Sequence, residues 1–393
     1  MSQSLLVLNS GSSSIKFRLF SVTPLALQAQ GKVTGIGGHT HLQVIDSEGH
    51  TLLDEPLSKG ASDHQQALDR LLSWGEQQGL MAELQAAGHR VVHGGTEFHQ
   101  PMVVDAALLD HLKQLIPLAP LHQPHNIAGI EALAARSPDL PQVACFDTAF
   151  HTTQPPVAQA LALPRELSDA GIQRYGFHGL SYEYVASVLP QTLDPATANG
   201  RVVVAHLGNG ASMCALHAGR SVASTMGFTA LDGLPMGTRC GSIDPGVVLY
   251  LISEQGLGVD AVNNLLYHRS GLLGVSGISN DMRELLASSH PHAAEAIELF
   301  VYRINRELGS LVAALGGLDA LIFTAGIGEY AAPVRAQVGE LAAWAGIRID
   351  PVANENHGPC ISTADSAAEV WVIPTNEERM IAQHTCRILG LSA

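Results

Sequence analysis

The chain has 393 residues, of which 46% are hydrophobic and 15% are charged, so it can bury a large core, and its length predicts two domains rather than one. This composition excludes disorder as the main state. The formal charge of -15, from 21 basic and 36 acidic residues, also excludes a broad electrostatic attraction to nucleic acid or to an anionic membrane surface.

Strands and helices alternate along the chain, which predicts an α/β fold rather than a helical bundle or a β-sandwich. A hairpin over residues 5–20 comes first, and a similar strand, small-polar turn and strand recur at residues 202–216. Two such copies, half a chain apart, indicate a duplicated domain. Further strands are predicted at 89–93, 142–146, 320–324 and 369–374, and helices at 62–79, 120–136, 179–189, 244–255, 292–315, 331–344 and 377–389.

No long linker or charge block divides the chain, so the two domains are expected to be joined by short hinges. The main hinge is expected near Asp147 to Gln154. This gives an N-terminal domain of residues 1–148 and a C-terminal domain of residues 149–378. The final helix, residues 379–393, is expected to pack back onto the first domain.

Five cysteines are scattered along the chain without a CxxC pair, which predicts reduced thiols in a cytosol rather than a disulfide framework or a zinc site. The apolar run Leu5 to Leu8 is short and lacks a basic flank, so neither a signal peptide nor an anchor is expected. We therefore predict a cytoplasmic protein that binds neither membranes nor nucleic acid.

Three turns rich in glycine or serine follow apolar strands. The first two can bind phosphate through exposed backbone N–H groups, whereas the small residues of the third leave room for a flat base or ribose. The first covers residues 9–14 and is followed by Lys16, the second is Gly208 to Gly210, and the third covers residues 324–329 and leads to a helix predicted at about Ala331. None has the Walker spacing, and each alone is also typical of an ordinary turn. The first two together predict a clamp on the phosphates of a nucleotide.

Four polar residues stand out because they lie in apolar or glycine-flanked segments: Arg90, Asp147, His178 and Arg239. A lone arginine or histidine is more often a structural residue than a functional one. Four of them in a chain with two phosphate turns indicate a site for an anionic substrate.

Residues 6–16, LVLNSGSSSIK, and residues 174–181, RYGFHGLS, resemble the two signatures of the acetate kinase family. That family belongs to a larger set with sugar kinases, heat-shock ATPases and actin. The resemblance continues in family order through residues 89–95, 146–151, 206–210, 236–245, 324–329 and 374–378, so it covers essentially the whole chain. It implies duplicated ribonuclease H-like domains, the actin-like ATPase fold, that face each other across a nucleotide cleft.

The resemblance implies a homodimeric acetate kinase that transfers the γ-phosphate of ATP to acetate reversibly with Mg²⁺, or Mn²⁺, as the metal. It implies catalytic roles for Arg90, Asp147, His178 and Arg239, and Arg90 would also bind the substrate. Asp147 is either a base or a residue that positions metal and water, and the second role is favoured because acetate is already an anion. The remaining implied contacts are Val92 and Leu121 for the substrate methyl, Asn9 and Glu377 for the metal, and, for the nucleotide, Lys16, His206, Leu207, Gly208, Asn209, Gly210, Asp281, Met282, Arg283, Gly326, Ile327, Gly328, Glu329 and Tyr330.

Alternatives to this function remain at this point. A propionate or other short-chain acyl kinase differs only in the size of the substrate pocket, and one methylene is worth only about 1–3 kcal/mol. An actin-like, nucleotide-gated interaction protein would not need the two arginines and His178, and a sugar kinase would need polar groups at Val92 and Leu121. The chain departs from the family at Tyr330, where Asn is frequent, and at Ala230, where Pro is frequent.

Overall fold

The computed structural model describes residues 3–11, 14–36, 38–57, 64–80 and 83–392. Ser12 and Ser13 of the first predicted turn, and residues 62–63 of the first predicted helix, lie outside these ranges. The chain folds into two compact units, Met1–Phe150 with Asn376–Ala393, and His151–Thr375. The limits of these units lie within three residues of the predicted domain boundaries at 148 and 378. Asn376 to Glu378, which were predicted to belong to the second domain, lie in the first unit.

The strands of the described residues are β1 (Ser4–Ser10), β2 (Ser14–Ser21), β3 (Ala26–Thr34), β4 (His41–Asp46), β5 (Thr51–Pro56), β6 (Leu84–Val91), β7 (Met102–Val103), β8 (Gln142–Phe146), β9 (Arg201–Leu207), β10 (Ala211–His217), β11 (Arg220–Ser224), β12 (Ala320–Thr324) and β13 (Glu369–Val372). The α-helices are α1 (His64–Gln77), α2 (Ala106–Gln114), α3 (Gln123–Arg136), α4 (Pro156–Gln159), α5 (Arg165–Asp169), α6 (Gly179–Thr192), α7 (Pro195–Ala198), α8 (Pro245–Ser253), α9 (Val259–His268), α10 (Gly271–Ser276), α11 (Met282–Ala287), α12 (Pro291–Leu315), α13 (Ala325–Tyr330), α14 (Ala332–Leu341), α15 (Pro351–Glu355) and α16 (Glu377–Leu389). None of them is long and apolar enough to cross a membrane within the described ranges.

Each unit contains a sheet with the same central strand order. The first sheet has the order β5-β4-β3-β2-β1-β6-β8-β7, and the second has the order β11-β10-β9-β12-β13. In both, three antiparallel strands are followed by two that run parallel to the first strand of the unit: β6 and β8 beside β1, and β12 and β13 beside β9. This repetition confirms the predicted α/β fold with duplicated ribonuclease H-like domains.

The predicted elements agree with the structure where the apolar pattern is strong, and they differ at the third of the predicted turns. Strands 142–146 and 320–324 and helix 377–389 have the predicted bounds. Residues 325–330 were expected to form a turn before a helix at about Ala331, and this was wrong, because they form helix α13 and a separate helix α14 follows. The side chain of Glu329 accepts a hydrogen bond from Ala325 N at 2.9 Å, which closes the first turn of α13.

The core of the first unit fixes the edge of the sheet where Asn9, Arg90 and Asp147 lie. Strand β1 is buried on both faces, as expected for a strand with parallel and antiparallel neighbours. The C-terminal helix α16 packs on β1 and β6 and buries Ile381 and Thr385. A Cβ atom at Gly88 of β6 would lie 2.6 Å from Ile381 Cγ2, so glycine is what allows this close approach.

Candidate active site

The first group of polar side chains lies where three parallel-related strands of the first unit end. Arg90 is near the end of β6, Asp147 directly follows β8, and Asn9 is near the end of β1. Arg90 Nε donates to Asp147 Oδ2 at 2.9 Å, its Nη2 also contacts that oxygen, and its Nη1 donates to Asn9 Oδ1 at 3.2 Å. Carboxyl ends of adjacent parallel strands are where α/β sheets bind ligands.

Electrostatics keep Arg90 charged at this position. Burial alone lowers the pKa of the guanidinium, but Asp147 and then Glu377 outweigh that effect and raise the pKa above its ordinary value. The Asp147 side chain is 1% exposed and that of Arg90 is 18% exposed, so this is a mostly desolvated ion pair. Such a pair holds a cation in a fixed place for an anionic ligand.

Helix α16 adds acidic residues to the same group. Its cap, Asn376, accepts hydrogen bonds from Arg18 Nη1 at 2.6 Å and from Arg379 N at 3.1 Å, which anchors the start of the helix. Burial raises the pKa of Glu377 to about 7, Arg90 opposes this, and Asp147 and Glu378 raise it further. Asp147 and Glu377 therefore share the charge of Arg90, whereas Glu378 forms an ion pair with Arg18 at 3.4 Å.

A divalent cation fits this group of residues. Asp147 Oδ1 is buried without a hydrogen-bond partner in the described part of the chain, and an unsatisfied carboxylate oxygen beside a second carboxyl group is costly. The described ranges contain no cluster of three or more His, Cys, Asp or Glu side chains arranged to bind a metal. Carboxylate oxygens such as those of Asp147 and Glu377 would suit an ion that keeps most of its waters and binds substrate phosphate.

Lys16, Val92 and Leu121 are the other residues of the first unit with predicted roles. Lys16 is exposed and pairs with Asn9 across the β1–β2 hairpin, and its charge acts on Glu377. Val92 follows Arg90 by two residues, is 4% exposed, and donates its N–H to Asn126 Oδ1 at 3.0 Å. Leu121 is half-buried just before α3. Val92 is thus a buried apolar residue two positions along the chain from the fixed arginine.

The second group lies in the second unit, around the turn that joins β9 and β10. A Cβ atom at Gly210 of this turn would lie 3.4 Å from His178 Nε2 and 3.9 Å from Arg239 Nη1. The lack of a side chain at Gly210 therefore leaves both groups close to the turn. His178 precedes α6 in the left-handed conformation, with φ 57°.

Two imidazoles stack beside the glycine turn, and each contacts a hydroxyl group. The rings of His178 and His206 have centroids 4.2 Å apart. His178 Nδ1 is 2.8 Å from Ser212 Oγ, and His206 Nδ1 is 2.8 Å from Ser181 Oγ, which in turn lies 2.8 Å from Thr375 Oγ1. Ser181 and Thr375 lie in segments that resemble the family, and Ser212 follows the glycine turn, but the sequence predicted no role for any of the three.

The loop that carries Arg239 is fixed to the same turn. Gly237 N donates to Asn209 O at 2.9 Å, and Asn280 Nδ2 is 3.3 Å from Asn209 Oδ1. Arg239 Nη1 donates to Ala230 O at 2.9 Å. Ala230, a position of departure from the family, therefore contacts this arginine through its backbone.

The predicted nucleotide residues further along the chain have different environments. Asp281 caps α11 and forms an ion pair with the exposed Arg283 at 2.5 Å, whereas Met282 and Leu207 are buried and can offer a ligand only main-chain atoms. Tyr330 is 71% exposed. These contacts leave Arg283 and Tyr330 at the surface of the second unit.

Arg335 was missed entirely, although it supports the predicted nucleotide segment. It is 0% exposed, and its Nη1 donates to Gly328 O and Glu329 O at 2.9 Å each, which are carbonyls at the end of α13. Its Nε and Nη2 donate to Asn354. An isolated arginine in a helical pattern gives no sequence signal for such burial.

Comparison with known proteins assigns the chain to a family. The model of the acetokinase family matches residues 4–383. A protein named acetate kinase from Rhodopseudomonas palustris (strain ATCC BAA-98 / CGA009) is 57% identical over 99% of both chains. A solved propionate kinase from Francisella tularensis superposes with a TM-score of 0.93 and is 39% identical, over 98% of this chain and 100% of that chain. A solved acetate kinase from Porphyromonas gingivalis superposes with a TM-score of 0.88 and is 36% identical, over 99% of this chain and 100% of that chain. The chain is therefore a kinase of the acetokinase family.

Proposed function

We propose that the chain catalyses the reversible transfer of the γ-phosphate of ATP to acetate, with acetyl phosphate and ADP as products. The observation that carries this proposal is Arg90, fixed by the buried Asp147 with the buried, apolar Val92 two residues away. A short carboxylic acid offers the matching chemistry, an anion on a small apolar group. Relatives named acetate kinase support the same substrate.

The proposed mechanism is direct in-line transfer. An acetate oxygen attacks the γ-phosphorus while the bond to the β–γ bridging oxygen breaks and ADP leaves. Two anions must approach each other, so neutralising their repulsion is the main requirement. Arg90 would bind the acetate carboxylate, and Arg239 and His178, which share the Gly210 turn, would donate to the equatorial oxygens of the transferring group.

Asp147 is proposed to position groups rather than to act as a base. Acetate is ionised at neutral pH, so no proton has to be removed from the nucleophile. One oxygen of Asp147 is held by Arg90, and the other is the buried oxygen with no protein partner in the described ranges. We propose that this second oxygen, with Glu377 and the nearby Asn9, holds Mg²⁺ or Mn²⁺ directly or through water, and that the bound cation neutralises phosphate charge.

The nucleotide is proposed to contact three segments. Lys16 and the turn Gly208 to Gly210 would bind phosphates, because both present donors at strand ends. The adenosine would lie near Asp281 to Arg283 and α13, with Tyr330 as a surface contact. The free thiols among the described cysteines and the net negative charge support a cytoplasmic enzyme without nucleic-acid partners.

The test is a hydroxamate assay for acyl phosphate with acetate, propionate, butyrate and no acid. We expect kcat/KM to fall in that order, because Val92 limits the space beside Arg90. Propionate is the second candidate substrate, since a solved relative with 39% identity is a propionate kinase. Val92→Ala should raise the ratio of propionate to acetate activity, whereas Val91→Ala, a core change next to it, should not. Equal kcat/KM for butyrate and acetate would contradict the assignment.

We also propose a homodimer in which α8 lies at the interface. None of the residues of this helix is buried, although Val247, Leu249 and Tyr250 are apolar and 45–66% exposed. An apolar helix face of this kind usually marks an interaction surface. Light scattering after size exclusion should give a dimer for the unaltered protein and a monomer for Leu249→Glu. A monomeric unaltered protein would contradict the proposal.

A further inference from the structure

His178 has two buried hydroxyl groups in series behind it. Its Nδ1 lies 2.8 Å from Ser212 Oγ on β10, and Ser212 Oγ lies 2.5 Å from Tyr182 Oη on α6. Ser212 and Tyr182 are both 0% exposed. Their hydrogens must therefore be satisfied by protein groups rather than by bulk water.

The direction of each of these hydrogen bonds follows from the hydrogens that the two hydroxyl groups carry. Burial, with a further contribution from Cys214, raises the pKa of Tyr182 well above its ordinary value, so the phenol keeps its hydrogen. Within the described ranges, the acceptor for that hydrogen is Ser212 Oγ. The hydrogen of Ser212 then needs its own acceptor, and His178 Nδ1 is in reach. A buried hydroxyl without an acceptor would cost about 1–3 kcal/mol.

A histidine that accepts at Nδ1 carries its one hydrogen on Nε2 and is neutral. Nε2 is also the nitrogen that lies beside the glycine turn, 3.4 Å from the Cβ position of Gly210. The stacked His206 and the nearby Arg239 are a titratable and a charged group that face His178. A cation on His178 would be next to one fixed cation, which also favours the neutral ring.

We propose that Tyr182 and Ser212 are positioning residues that hold His178 as the neutral Nε2–H tautomer. His178 then acts on the transferring phosphoryl group as a hydrogen-bond donor and not as a cation, an assignment that rests on the proposed phosphoryl transfer. In the proposed reaction, Arg90 and Arg239 supply the positive charge. Protonation at Nδ1 would remove the acceptor for the hydrogen of Ser212, so the neutral ring is the active form.

The direct test is ¹⁵N NMR of the full-length protein labelled at histidine, with the His178 signals assigned by their loss in His178→Gln. We expect the Nε2–H pattern of shifts from pH 6.5 to 8.5. An imidazolium pattern or an Nδ1–H pattern at pH 7.5 would overturn the proposal. This measurement needs neither substrate nor activity, so its result is independent of the identity of the acyl acceptor.

Tyr182→Phe tests the positioning role by removing one of the two hydroxyl groups. Ser212 Oγ can then accept from Nδ1–H, so we expect a mixture of tautomers and an easier protonation of His178. The acid limb of the pH profile of kcat should move to higher pH, and kcat should fall about tenfold. KM for acetate should change less than kcat. Tyr184→Phe, on the same helix, is the matched control and should leave the tautomer and the profile unchanged.

Ser212→Ala provides a second variant with the same expected direction. Because both hydroxyls act through the same nitrogen, the double variant should lose no more activity than the worse single variant. Unchanged ¹⁵N chemical shifts of His178 and unchanged pH profiles in both folded single variants would refute the positioning role. A wild-type protein that forms no acyl phosphate but shows the Nε2–H pattern would instead refute only the proposed function.

Discussion

Replacing Arg335 by methionine should destabilise the second unit and weaken nucleotide binding, although this residue lies outside every predicted site. Arg335 is fully buried, and no carboxylate within the described ranges forms a hydrogen bond or ion pair with it. Burial lowers its pKa to about 10, and Glu355 partly opposes this, so the guanidinium stays protonated at pH 7. The hydrogen bonds that its guanidinium donates therefore go to uncharged acceptors.

The magnitude follows from the acceptors that Arg335 leaves behind. Methionine fills a similar volume but donates no hydrogen bond, so Gly328 O, Glu329 O and Asn354 Oδ1 lose their donor. Each buried unsatisfied group costs about 1–3 kcal/mol, and loss of the desolvated charge returns part of this. A net loss of about 3–4 kcal/mol corresponds to a decrease in Tm of about 10 °C for a unit of this size.

The assay combines thermal unfolding with steady-state kinetics. We expect KM for ATP to rise about tenfold or more, because α13 loses the donor at its C-terminal end, while kcat at saturating ATP changes less. Arg348→Met is the matched control, since Arg348 forms an ion pair with Asp365 in which both side chains are about two-thirds exposed. Exposed pairs contribute only about 0–1 kcal/mol. A Tm for Arg335→Met within the range of this control, together with an unchanged KM, would refute the reasoning.

Three further predictions concern the two groups of polar residues and the core. Glu377→Gln should raise the Mg²⁺ concentration for half-maximal rate about tenfold or more, because a carboxylate ligand is lost, and an unchanged requirement in a folded variant would contradict the metal role. Arg239→Ala should lower kcat about 100-fold and change KM for ATP much less, whereas normal kcat with lost ATP binding would assign it to the nucleotide. Burial lowers the pKa of His89 to about 4, and the hydrogen bond to Gln142 partly opposes this shift. The neutral ring therefore contributes stability above pH 6.5, and up to about 3 kcal/mol of the free energy of unfolding is lost as the pH falls toward 4. Urea unfolding of His89→Gln should therefore show a shallower loss over that interval, and identical slopes would exclude His89 as the cause.

The sequence predicts the parts of this fold that depend on short-range pattern. The buried strands at 142–146 and 320–324 are uninterrupted apolar runs, and the two small-polar turns follow such runs directly. The duplication is visible because both copies keep the same strand, turn and strand. The parallel order of β1, β6 and β8, which brings Asn9, Arg90 and Asp147 to one edge, has no such local signal and was available only through the family resemblance.

Residues that act through burial were not predictable from pattern. Strand β10 is buried at six of its seven positions, so alternation does not separate Ser212 from its apolar neighbours. Arg335 has the sequence context of a surface residue, and its function depends on α13, which was expected to be a turn. In both cases the polar side chain is needed because a neighbouring group would otherwise be buried without a hydrogen-bond partner.

The position of Glu377 shows how distant packing determines the chemistry of the first unit. Arg90 and Asp147, whose charges act on Glu377, lie hundreds of residues away in the sequence, and α16 brings Glu377 to them. The helix is fixed at its start by the bond from Arg18 to Asn376, and along its length by the close approach at Gly88. A carboxylate near two others needs such restraint, because repulsion from Asp147 and Glu378 would otherwise move it away from the group. The apolar face of α16 therefore holds in place an arrangement of charges that a divalent cation can then stabilise.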